Sequence, residues 1–202
     1  MEITVDRLGK RYQHGWVFRN LSFLFQSNNI YGISGRNGSG KSTFLKIISG
    51  LLSATEGKIQ YASGQGSVKR EDIYHYLSVA APYTELLEEF TLAEMIDFHT
   101  GFKPSDRFSD TAQWIEMMQL GSAAHRPMVQ FSSGMKQRVK LGLALYSKAE
   151  IIFLDEPTSN LDENAKDWFF QHLDLQRQNK LIFIASNEEQ DFKFCTNRIL
   201  LG

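Results

Sequence analysis

The stretch Gly35-Arg36-Asn37-Gly38-Ser39-Gly40-Lys41-Ser42-Thr43 decides the fold of this 202-residue chain. It matches the pattern G-x-x-x-x-G-K-[ST], with both glycines, the lysine and the hydroxyl residue in register. Residues 29–34 before it favour a short buried strand, and residues 44–50 after it have the apolar spacing of a helix. A strand, a glycine-rich loop and a helix in this order are the context that the pattern requires. The stretch therefore predicts a phosphate-binding loop, named the P-loop from here on.

The residues of the P-loop suit a nucleoside triphosphate. Gly38 and Gly40 let the backbone curl until successive N–H groups point inward as an anion-binding nest. The N-terminus of the following helix adds its partial positive charge. We expect Lys41 to reach the β- and γ-phosphates and the Ser42 hydroxyl to bind Mg²⁺. A bound purine nucleoside triphosphate is therefore expected here, rather than a glycine-rich turn without a ligand.

The composition restricts the class of protein. The chain is 42% hydrophobic and 22% charged, as in an ordinary globular protein with a real core. Its formal net charge of −1 predicts no nucleic-acid surface. No apolar run approaches the roughly 20 residues that span a bilayer, and residues 1–6 lack the pattern of a signal peptide. With Cys195 as its single cysteine, the chain cannot form an internal disulfide. We expect a cytosolic protein whose role at a membrane depends on a partner.

Alternating apolar residues over 3–5 and 17–25 predict antiparallel strands before the P-loop. The small, polar segment 62–69 predicts a loop. Tyr12 lies in the predicted turn 10–15 between the first two strands. Its ring is suited to stacking on a purine, although a tyrosine in a turn is also an ordinary packed surface residue.

The segment 91–121 has helical periodicity. Thr91 and Glu94 form a capping-box pair that predicts the start of one helix, and a second helix is predicted over about 110–120. Because it is inserted between strands, this segment is expected to pack as a separate helical lobe. Its methionines and aromatic residues form either a core or an exposed patch that binds a partner.

Two adjacent carboxylates follow another buried strand. In Ile151-Ile152-Phe153-Leu154-Asp155-Glu156, four apolar residues place the acids at the strand end where open α/β sheets bind ligands. We expect Asp155 to hold Mg²⁺ through water and Glu156 to polarise the attacking water. The alternative is a solvated strand end, which the P-loop upstream makes less plausible.

The segment Phe131-Ser132-Ser133-Gly134-Met135 predicts the start of a helix. Taken alone, it is a capped helix start with Ser132 or the next serine as the N-cap. Further along the chain, residues 181–185 predict a central strand, and Ser186 with Glu189 predicts a capped short helix after it.

Taken in order, these segments resemble the ATP-binding subunit of ABC transporters over essentially the whole chain. The P-loop alone does not carry this resemblance. Residues 131–135, FSSGM, stand in the place of the family's LSGGQ signature. Residues 151–156 resemble its Walker B motif, and Ser159-Asn160-Leu161-Asp162 resembles its D-loop.

The resemblance implies an α/β fold with a P-loop NTPase core and a mainly parallel sheet. It also implies an antiparallel β subdomain and an inserted α-helical subdomain. The whole chain, 1–202, is then one ABC ATPase domain. Its core is expected to consist of 1–82 and 143–202, and its helical subdomain of about 83–142.

The resemblance further implies how the nucleotide is bound. The cofactors are ATP and Mg²⁺, and Tyr12 resembles the aromatic residue that stacks on adenine. Glu156 is the implied general base, and Ser42 and Asp155 are the implied metal residues. The implied phosphate site is the whole P-loop: Gly35, Arg36, Asn37, Gly38, Ser39, Gly40, Lys41, Ser42 and Thr43.

Two partners are implied by the same resemblance. The first is a second ATPase subunit, in the simplest case an identical copy, because two such domains meet head to tail. Each ATP then lies between one P-loop and the other signature, where Ser132 and Gly134 match the positions that contact the γ-phosphate. Asp162 would couple the two sites. The second partner is a separate membrane-spanning permease, which the helical subdomain would bind at the inner face of the membrane.

Three departures from the family pattern bear on hydrolysis. The signature has Ser133 and Met135 where the family has its second glycine and its glutamine. The glutamine of the Q-loop is missing, and Ala80-Ala81-Pro82-Tyr83 stands in its place. Asn187 stands where the H-loop histidine belongs. An asparagine donates a hydrogen bond to a γ-phosphate but cannot take up a proton near neutral pH.

Asn187 therefore has two possible roles. It is either a catalytic substitute for the histidine or an ordinary residue in the first turn of the short helix capped by Ser186. If it substitutes for the histidine, it contacts the γ-phosphate and keeps Glu156 in line with the attacking water.

Three functions compete on these residues. The expected one is an ATPase subunit that powers a membrane transporter. A soluble ABC protein acting on DNA or ribosomes is the second, but such relatives carry tandem ATPase domains or long coiled-coil insertions. A slow nucleotide-gated regulator is the third. The missing histidine and glutamine favour it, whereas Lys41, Asp155 and Glu156 argue against it.

Overall fold

A computed structural model describes residues 1–13 and 15–202, which form two compact units. The first unit contains residues 1–78, 149–156 and 177–202, and the second contains 79–148 and 157–176. His14, part of the predicted turn 10–15, lies outside the described residues. The predicted division into a core and a helical subdomain of about 83–142 stays a prediction.

Strands predominate at both ends of the described chain, and three α-helices follow one another in its middle. The strands are β1 Glu2–Tyr12, β2 Gly15–Gln26, β3 Asn29–Ser34, β4 Glu56–Ser63, β5 Gly66–Val68, β6 Leu77–Ala80, β7 Ile151–Asp155, β8 Leu181–Ala185 and β9 Asn197–Leu200. The α-helices are α1 Lys41–Ile48, α2 Leu92–Phe102, α3 Thr111–Met117, α4 Ser133–Tyr146 and α5 Glu163–Gln176. Short 3₁₀ turns occupy Arg70–His75, Gly121–Ala123, Met128–Gln130 and Glu189–Phe192.

A five-stranded sheet has the order β6-β7-β8-β3-β9. Within it β7, β8, β3 and β9 pair in parallel. Every residue of β7 and β8 is buried, as expected for parallel strands that are covered on both faces. This order places the end of β7 beside the end of β8, with Asp155 opposite Ala185. The predicted α/β fold with a mainly parallel sheet is confirmed.

The second sheet has the order β2-β1-β4-β5 and is antiparallel, as predicted. The predicted loop over 62–69 is wrong, because Gly66–Val68 forms β5 and pairs with the end of β4. Val68 and its partner Tyr61 are both buried, so this short polar segment still has one apolar position that fixes its register. Tyr12 is also not in a turn, since it is the last residue of β1.

Aromatic side chains pack α1 against β2 within the first unit. Phe44 of α1 is fully buried and lies edge-on to Phe18 and Phe25 of β2, with ring centroids 5.8 and 6.4 Å apart. Phe25 also lies 4.9 Å from Phe183 of β8, which stacks on Phe153 of β7 at 5.0 Å. Edge-to-face and offset-stacked rings add stabilisation beyond the area they bury. The P-loop is therefore anchored at its helical end by a packed aromatic core.

The second unit contains α2 to α5. The predicted capping box is confirmed, because the Thr91 hydroxyl accepts a hydrogen bond from the Glu94 N–H while the Glu94 carboxylate accepts one from the Thr91 N–H. Trp114 and Met118, an aromatic residue and a methionine of the segment 91–121, are buried and belong to a core. Trp168 on α5 donates its Nε1–H to the Met117 carbonyl at 2.8 Å, which joins α5 to the end of α3.

Candidate nucleotide-binding site

The P-loop lies between the end of β3 and the start of α1, and its glycines have the backbone conformation that a curled loop needs. Gly38 has φ +82° and Gly40 has φ +98°. Gly40 is also the residue that precedes α1, and a Cβ atom there would lie 2.3 Å from Cγ1 of Val17. Only glycine combines this backbone conformation with so close an approach. The local fold therefore accounts for both glycines.

Lys41 is the first residue of α1, and its side chain folds back over the P-loop. The residue is only 6% exposed. Its Nζ donates to the Gly35 carbonyl at 2.9 Å, to the Arg36 carbonyl at 3.3 Å and to Oδ1 of Asn187 at 2.7 Å. The ammonium group is therefore held against the P-loop backbone, where we expect a phosphate to bind.

Asp155, at the end of β7, is a buried carboxylate whose oxygens lack hydrogen bonds among the described residues. It is 1% exposed, and neither oxygen has a hydrogen-bond partner among the described residues. Burial raises its pKa and Glu156 adds to the rise, whereas the nearby Ser42 hydroxyl, Lys41 and Lys46 lower it; no hydrogen bond of ordinary geometry joins Ser42 to the carboxylate. Unsatisfied buried carboxylate oxygens are rare.

Asp155 and Ser42 provide the kind of oxygen ligands that Mg²⁺ takes in nucleotide sites, a carboxylate and a hydroxyl. A cation beside Asp155 would also remove the cost of leaving its two oxygens unpaired. These two residues therefore fit the predicted metal, and the fit rests on the orphaned carboxylate.

Glu156 directly follows β7 in a left-handed backbone conformation, with φ +50°. Such a conformation is uncommon for a residue other than glycine and costs of order 1–3 kcal/mol. Its N–H donates to the Ala185 carbonyl at 2.7 Å, which ties the turn to the end of β8. One carboxylate oxygen accepts from the Ser186 hydroxyl at 3.2 Å, and the other accepts from Nδ2 of Asn187 at 2.9 Å. The strained turn thus aims Glu156 at the residues after β8.

Asn187 joins three segments of the first unit. Its Oδ1 accepts from Lys41, and its Nδ2 donates to Glu156 and, at 2.5 Å, to Oδ1 of Asn37 in the P-loop. The predicted capping pair of Ser186 and Glu189 is wrong. The 3₁₀ turn begins after Glu188 without a side-chain cap, because the Ser186 hydroxyl is bonded to Glu156 and to the Glu188 N–H instead. Asn187 is therefore not an ordinary residue of a helical first turn.

The signature segment lies in the second unit, at the start of α4. Ser132 is the N-cap of this helix, and its Oγ accepts a hydrogen bond from the Met135 N–H at 3.2 Å. A Cβ atom on Gly134 would lie 2.7 Å from the Asn160 carbonyl oxygen. Gly134 therefore lets the D-loop backbone approach the signature segment.

Asp162 of the D-loop also has a local partner. Its Oδ1 accepts from the Ala165 N–H at 2.8 Å, at the start of α5. A second link was not predicted: Nε2 of the buried Gln137 donates to the Pro157 carbonyl at 2.9 Å. This bond fixes the start of α4 to the segment that follows Glu156 in the sequence. The roles of Ser132, Gly134 and Asp162 towards a nucleotide stay predictions.

Tyr12 is exposed at the end of β1, with 49% of its surface accessible. The Lys10 ammonium lies 4.9 Å from the centre of its ring. An exposed aromatic ring beside a cation is compatible with a stacking role, which stays a prediction.

Ser186 is the main residue of this site that the sequence did not predict. The sequence pattern predicts a helix cap at this residue, because a glutamate stands three residues later. The available signal was its position directly after a buried strand, the position that Asp155 and Glu156 occupy after β7. Polar residues after neighbouring parallel strands meet at one edge of the sheet.

Comparisons with known proteins identify the family of this chain. The family model described as ABC transporter matches residues 18–159. The chain is 31% identical over 198 residues to the uncharacterized ABC transporter ATP-binding protein YybJ of Bacillus subtilis, covering 94% of this chain and 87% of YybJ. It is 32% identical over 181 residues to YxlF of the same organism, covering 88% of this chain. The chain spans 59% of the length of YxlF.

A solved structure shows the same fold. The ATP-binding cassette MJ0796, in a dimeric post-hydrolysis state bound to ADP and Pi, has a TM-score of 0.82 at 21% identity, over 98% of this chain and 94% of that one. Among the described residues, no helix has the length and apolar character required to cross a membrane. The family match over residues 18–159 and the similarity to YybJ show that this chain belongs to the ABC transporter family of ATP-binding proteins.

Proposed function

We propose that this protein is the ATP-binding and ATP-hydrolysing subunit of a membrane ABC transporter. We propose further that it works as a dimer in which two nucleotides lie between the subunits. The observation that carries the proposal is the acid pair at the end of β7. Asp155 is buried without a hydrogen-bond partner beside the hydroxyl residue of the P-loop, and Glu156 is held next to it by a strained turn.

The phosphate groups are bound by the P-loop and Lys41. The curled backbone presents N–H groups, and the start of α1 adds its partial positive charge. Lys41 is already oriented by two P-loop carbonyls, so little side-chain freedom is lost when it binds a phosphate oxygen. Ser42 and Asp155 would hold Mg²⁺, which neutralises charge on the β- and γ-phosphate oxygens when it is bound.

Glu156 is the proposed general base for the attacking water. A base must be fixed within hydrogen-bond reach of the proton that it accepts. Ser186 and Asn187 donate to its carboxylate, which fixes its orientation. Asn187 therefore belongs to the proposed catalytic group, since it positions the base and stands beside Lys41.

The proposed dimer is supported by the signature segment and the D-loop. A capped helix start at Ser132 exposes backbone N–H groups of the first turn, which is a suitable site for a phosphate of the neighbouring subunit. Gly134 leaves room for the Asn160 carbonyl beside the signature segment, and Asp162 accepts from the Ala165 N–H at the start of α5. The solved structure of MJ0796 is described as dimeric, which fits the same arrangement.

The proposed permease contact lies on the second unit. Phe98 and Phe102 on α2 are 46% and 75% exposed, and their ring centroids lie 5.2 Å apart. Adjacent exposed aromatic rings are a common feature of protein interaction sites. A permease bound there would place this protein at the inner face of the membrane, and the description of its relatives as ABC transporter ATP-binding proteins supports this.

A slow nucleotide-gated regulator is the second candidate, and Asn187 favours it. An amide donates a neutral hydrogen bond, whereas charge-assisted bonds are about twice as strong. A deficit of roughly 1–2 kcal/mol in the transition state corresponds to about tenfold slower hydrolysis than with a histidine. Turnover in the presence and absence of the permease distinguishes the two candidates, because only a transport motor is expected to be stimulated.

The proposal is tested by the turnover of the purified chain with ATP and Mg²⁺. Glu156→Gln keeps the shape of the side chain but removes the base, so turnover should fall at least about 100-fold. Glu188→Gln, which removes an exposed charge from the same segment, should leave it unchanged. Hydrolysis that survives Glu156→Gln would reject Glu156 as the base.

The same variant tests the dimer. With ATP and Mg²⁺, Glu156→Gln should accumulate as a dimer in size-exclusion chromatography, because the nucleotides are bound but not hydrolysed. Without nucleotide it should elute as a monomer. A monomer under both conditions would contradict a dimer that is held together by nucleotides alone.

A further inference from the structure

We propose that Asn187 is a positioning residue that holds Lys41 and Glu156 on one amide and releases Lys41 to the incoming triphosphate. The inference rests on the proposed function, because it describes how ATP enters that site. It goes further in assigning a competition between a side chain of this chain and the nucleotide. The three bonds of Asn187 to Lys41, Glu156 and Asn37 are named here the Asn187 clasp.

The Asn187 clasp depends on the chemistry of an amide. The two hydrogens of Nδ2 are donated to Glu156 and Asn37, at 2.9 and 2.5 Å, while Oδ1 accepts from Lys41 at 2.7 Å. A neutral imidazole has one donor and one acceptor, and a protonated one has no acceptor at all. A histidine at this position cannot make the same set of bonds. The clasp is therefore specific to the residue by which this chain departs from its family.

Lys41 has no spare proton while the clasp is closed. An ammonium group has three donors, and here they go to the Gly35 carbonyl, the Arg36 carbonyl and Asn187. A phosphate oxygen that binds Lys41 must therefore replace one of these acceptors. The two carbonyls belong to the curled backbone that forms the anion nest, so they are costly to move.

Asn187 is the acceptor of Lys41 that a phosphate oxygen can replace. It lies on an exposed segment after β8, and the flexible Lys41 side chain can turn its ammonium from Oδ1 to a phosphate oxygen without disturbing the P-loop backbone. Its Nδ2 bond to Glu156, and the bonds of Glu156 to Ser186, do not compete with a phosphate. Binding of ATP would thus break the link between Lys41 and Asn187 while Glu156 stays positioned.

The test is the ATP affinity of two variants, measured by isothermal titration calorimetry. In Asn187→Ala no bond to Lys41 has to be broken, so ATP should bind about three- to tenfold more tightly, which is the range expected for the net contribution of one ordinary hydrogen bond. In Asn187→Asp the new carboxylate holds the ammonium by charge and repels phosphate. ATP should then bind at least about tenfold more weakly. The expected shifts have opposite signs.

A second measurement separates positioning from a structural role. Asn187→Ala should lower the turnover number at saturating ATP although ATP binds more tightly, because Glu156 loses a donor. In the Lys41→Ala background the effect of Asn187→Ala on ATP affinity should disappear, since the two changes act on one bond. Glu188→Gln is the matched control and should change neither quantity.

Several results would overturn the proposal. One is an ATP affinity that is unchanged or weaker in Asn187→Ala; another is the same gain in affinity with and without Lys41. Thermal unfolding shows whether each variant is folded. If Asn187→Ala does not fold, Asn187→Asp is the test, and ATP binding that is unchanged or tighter in that variant contradicts the clasp. A different result would contradict the proposed function: Lys41→Ala, made in the otherwise unaltered chain, would leave the ATP affinity unchanged.

Discussion

The P-loop site and the signature segment use their polar side chains differently. In the first unit, Lys41 and Asn187 are 146 positions apart in the sequence and bond directly to each other. In the second unit, Ser132 and Asp162 each accept a hydrogen bond from the backbone N–H three residues further along. One region is assembled by the tertiary fold, and the other by local helix starts.

This difference indicates that the P-loop site requires particular polar groups, whereas the signature segment requires a particular backbone position. The groups of the P-loop site form a network of charges and amides that suits bond making and breaking within one subunit. Ser132 of the signature segment and Asp162 of the D-loop already accept hydrogen bonds that stabilise the starts of α4 and α5, so these two segments mainly present backbone at a defined place. Changes of charge should therefore have their largest effect in the first region, and changes of shape or capping in the second.

Lys41→Ala should have the largest effect. It removes the cation that faces the phosphates, a loss of several kcal/mol in a partly dry site, so ATP affinity should fall at least about 100-fold. Lys58→Ala, which removes an exposed charge from β4 of the same unit, is the control and should change affinity much less. Calorimetric titration with ATP measures both. Equal ATP affinity for Lys41→Ala and the unaltered chain would show that Lys41 does not bind the phosphates.

Gly134→Ala should disturb the second region through shape alone. The added Cβ would lie 2.7 Å from the Asn160 carbonyl oxygen, and a backbone atom cannot swing aside as a side chain can. Overpacking of this kind costs about 1–3 kcal/mol of unfolding free energy. Gly101→Ala on α2, where the added Cβ meets nothing within 4 Å, is the matched control.

The two variants are compared by chemical denaturation and by ATP titration. Gly134→Ala should lower the free energy of unfolding, or weaken the dimer of the Glu156→Gln variant, without changing ATP affinity of the monomer. If it lowers monomer ATP affinity as strongly as Lys41→Ala does, the separation between the two regions is wrong.

The parts of the fold that the sequence predicted are those with a local cause. The P-loop strand and helix, the buried strand before Asp155 and the Thr91 capping box follow from apolar periodicity and from pairs a few residues apart. The hairpin at Gly66–Val68 was missed because its residues are small and polar, and only its pairing with β4 makes it a strand. Strand propensity depends on such neighbours more than helix propensity does.

The candidate site was predictable as a set of residues but not as a network. The motifs identify Lys41, Glu156 and Asn187 individually. Their mutual bonds depend on β7 and β8 lying side by side in register, which brings residues that follow the two strands to the P-loop. Ser186 was misassigned for the same reason, since a local capping pattern competed with a contact made only in the folded sheet.

The stability of the second unit should depend on pH through His99. Burial, with a smaller effect of Lys103, lowers the pKa of His99 from 6.5 to about 4. Between these values the unfolded chain binds a proton that the folded chain does not, so the contribution is complete above pH 6.5 and is lost as the pH falls towards 4. At pH 5 the loss should be about 2 kcal/mol relative to pH 7.

Chemical denaturation at the two pH values measures this contribution. His99→Gln should be less stable at pH 7, because the contact of His99 with Ser147 changes, but it should lose less stability between pH 7 and pH 5. His125→Gln, at an exposed position of the same unit, is the control and should retain the full loss. If His99→Gln and the unaltered chain lose the same free energy, the pH dependence arises elsewhere.

Variants of Ser132 test whether the signature segment has only a structural role, and their expected effect on stability is the smallest. Ser132→Ala removes the acceptor of the Met135 N–H and should lower the free energy of unfolding by about 1 kcal/mol. Ser132→Asp keeps a capping acceptor, so it should restore that stability. If Ser132 also faces the γ-phosphate of a second subunit, the aspartate places a negative charge against it. The Glu156→Gln, Ser132→Asp double variant should then be fully stable yet fail to form the ATP-held dimer in size-exclusion chromatography. A double variant that is stable and dimeric would show that Ser132 is a helix cap and nothing more.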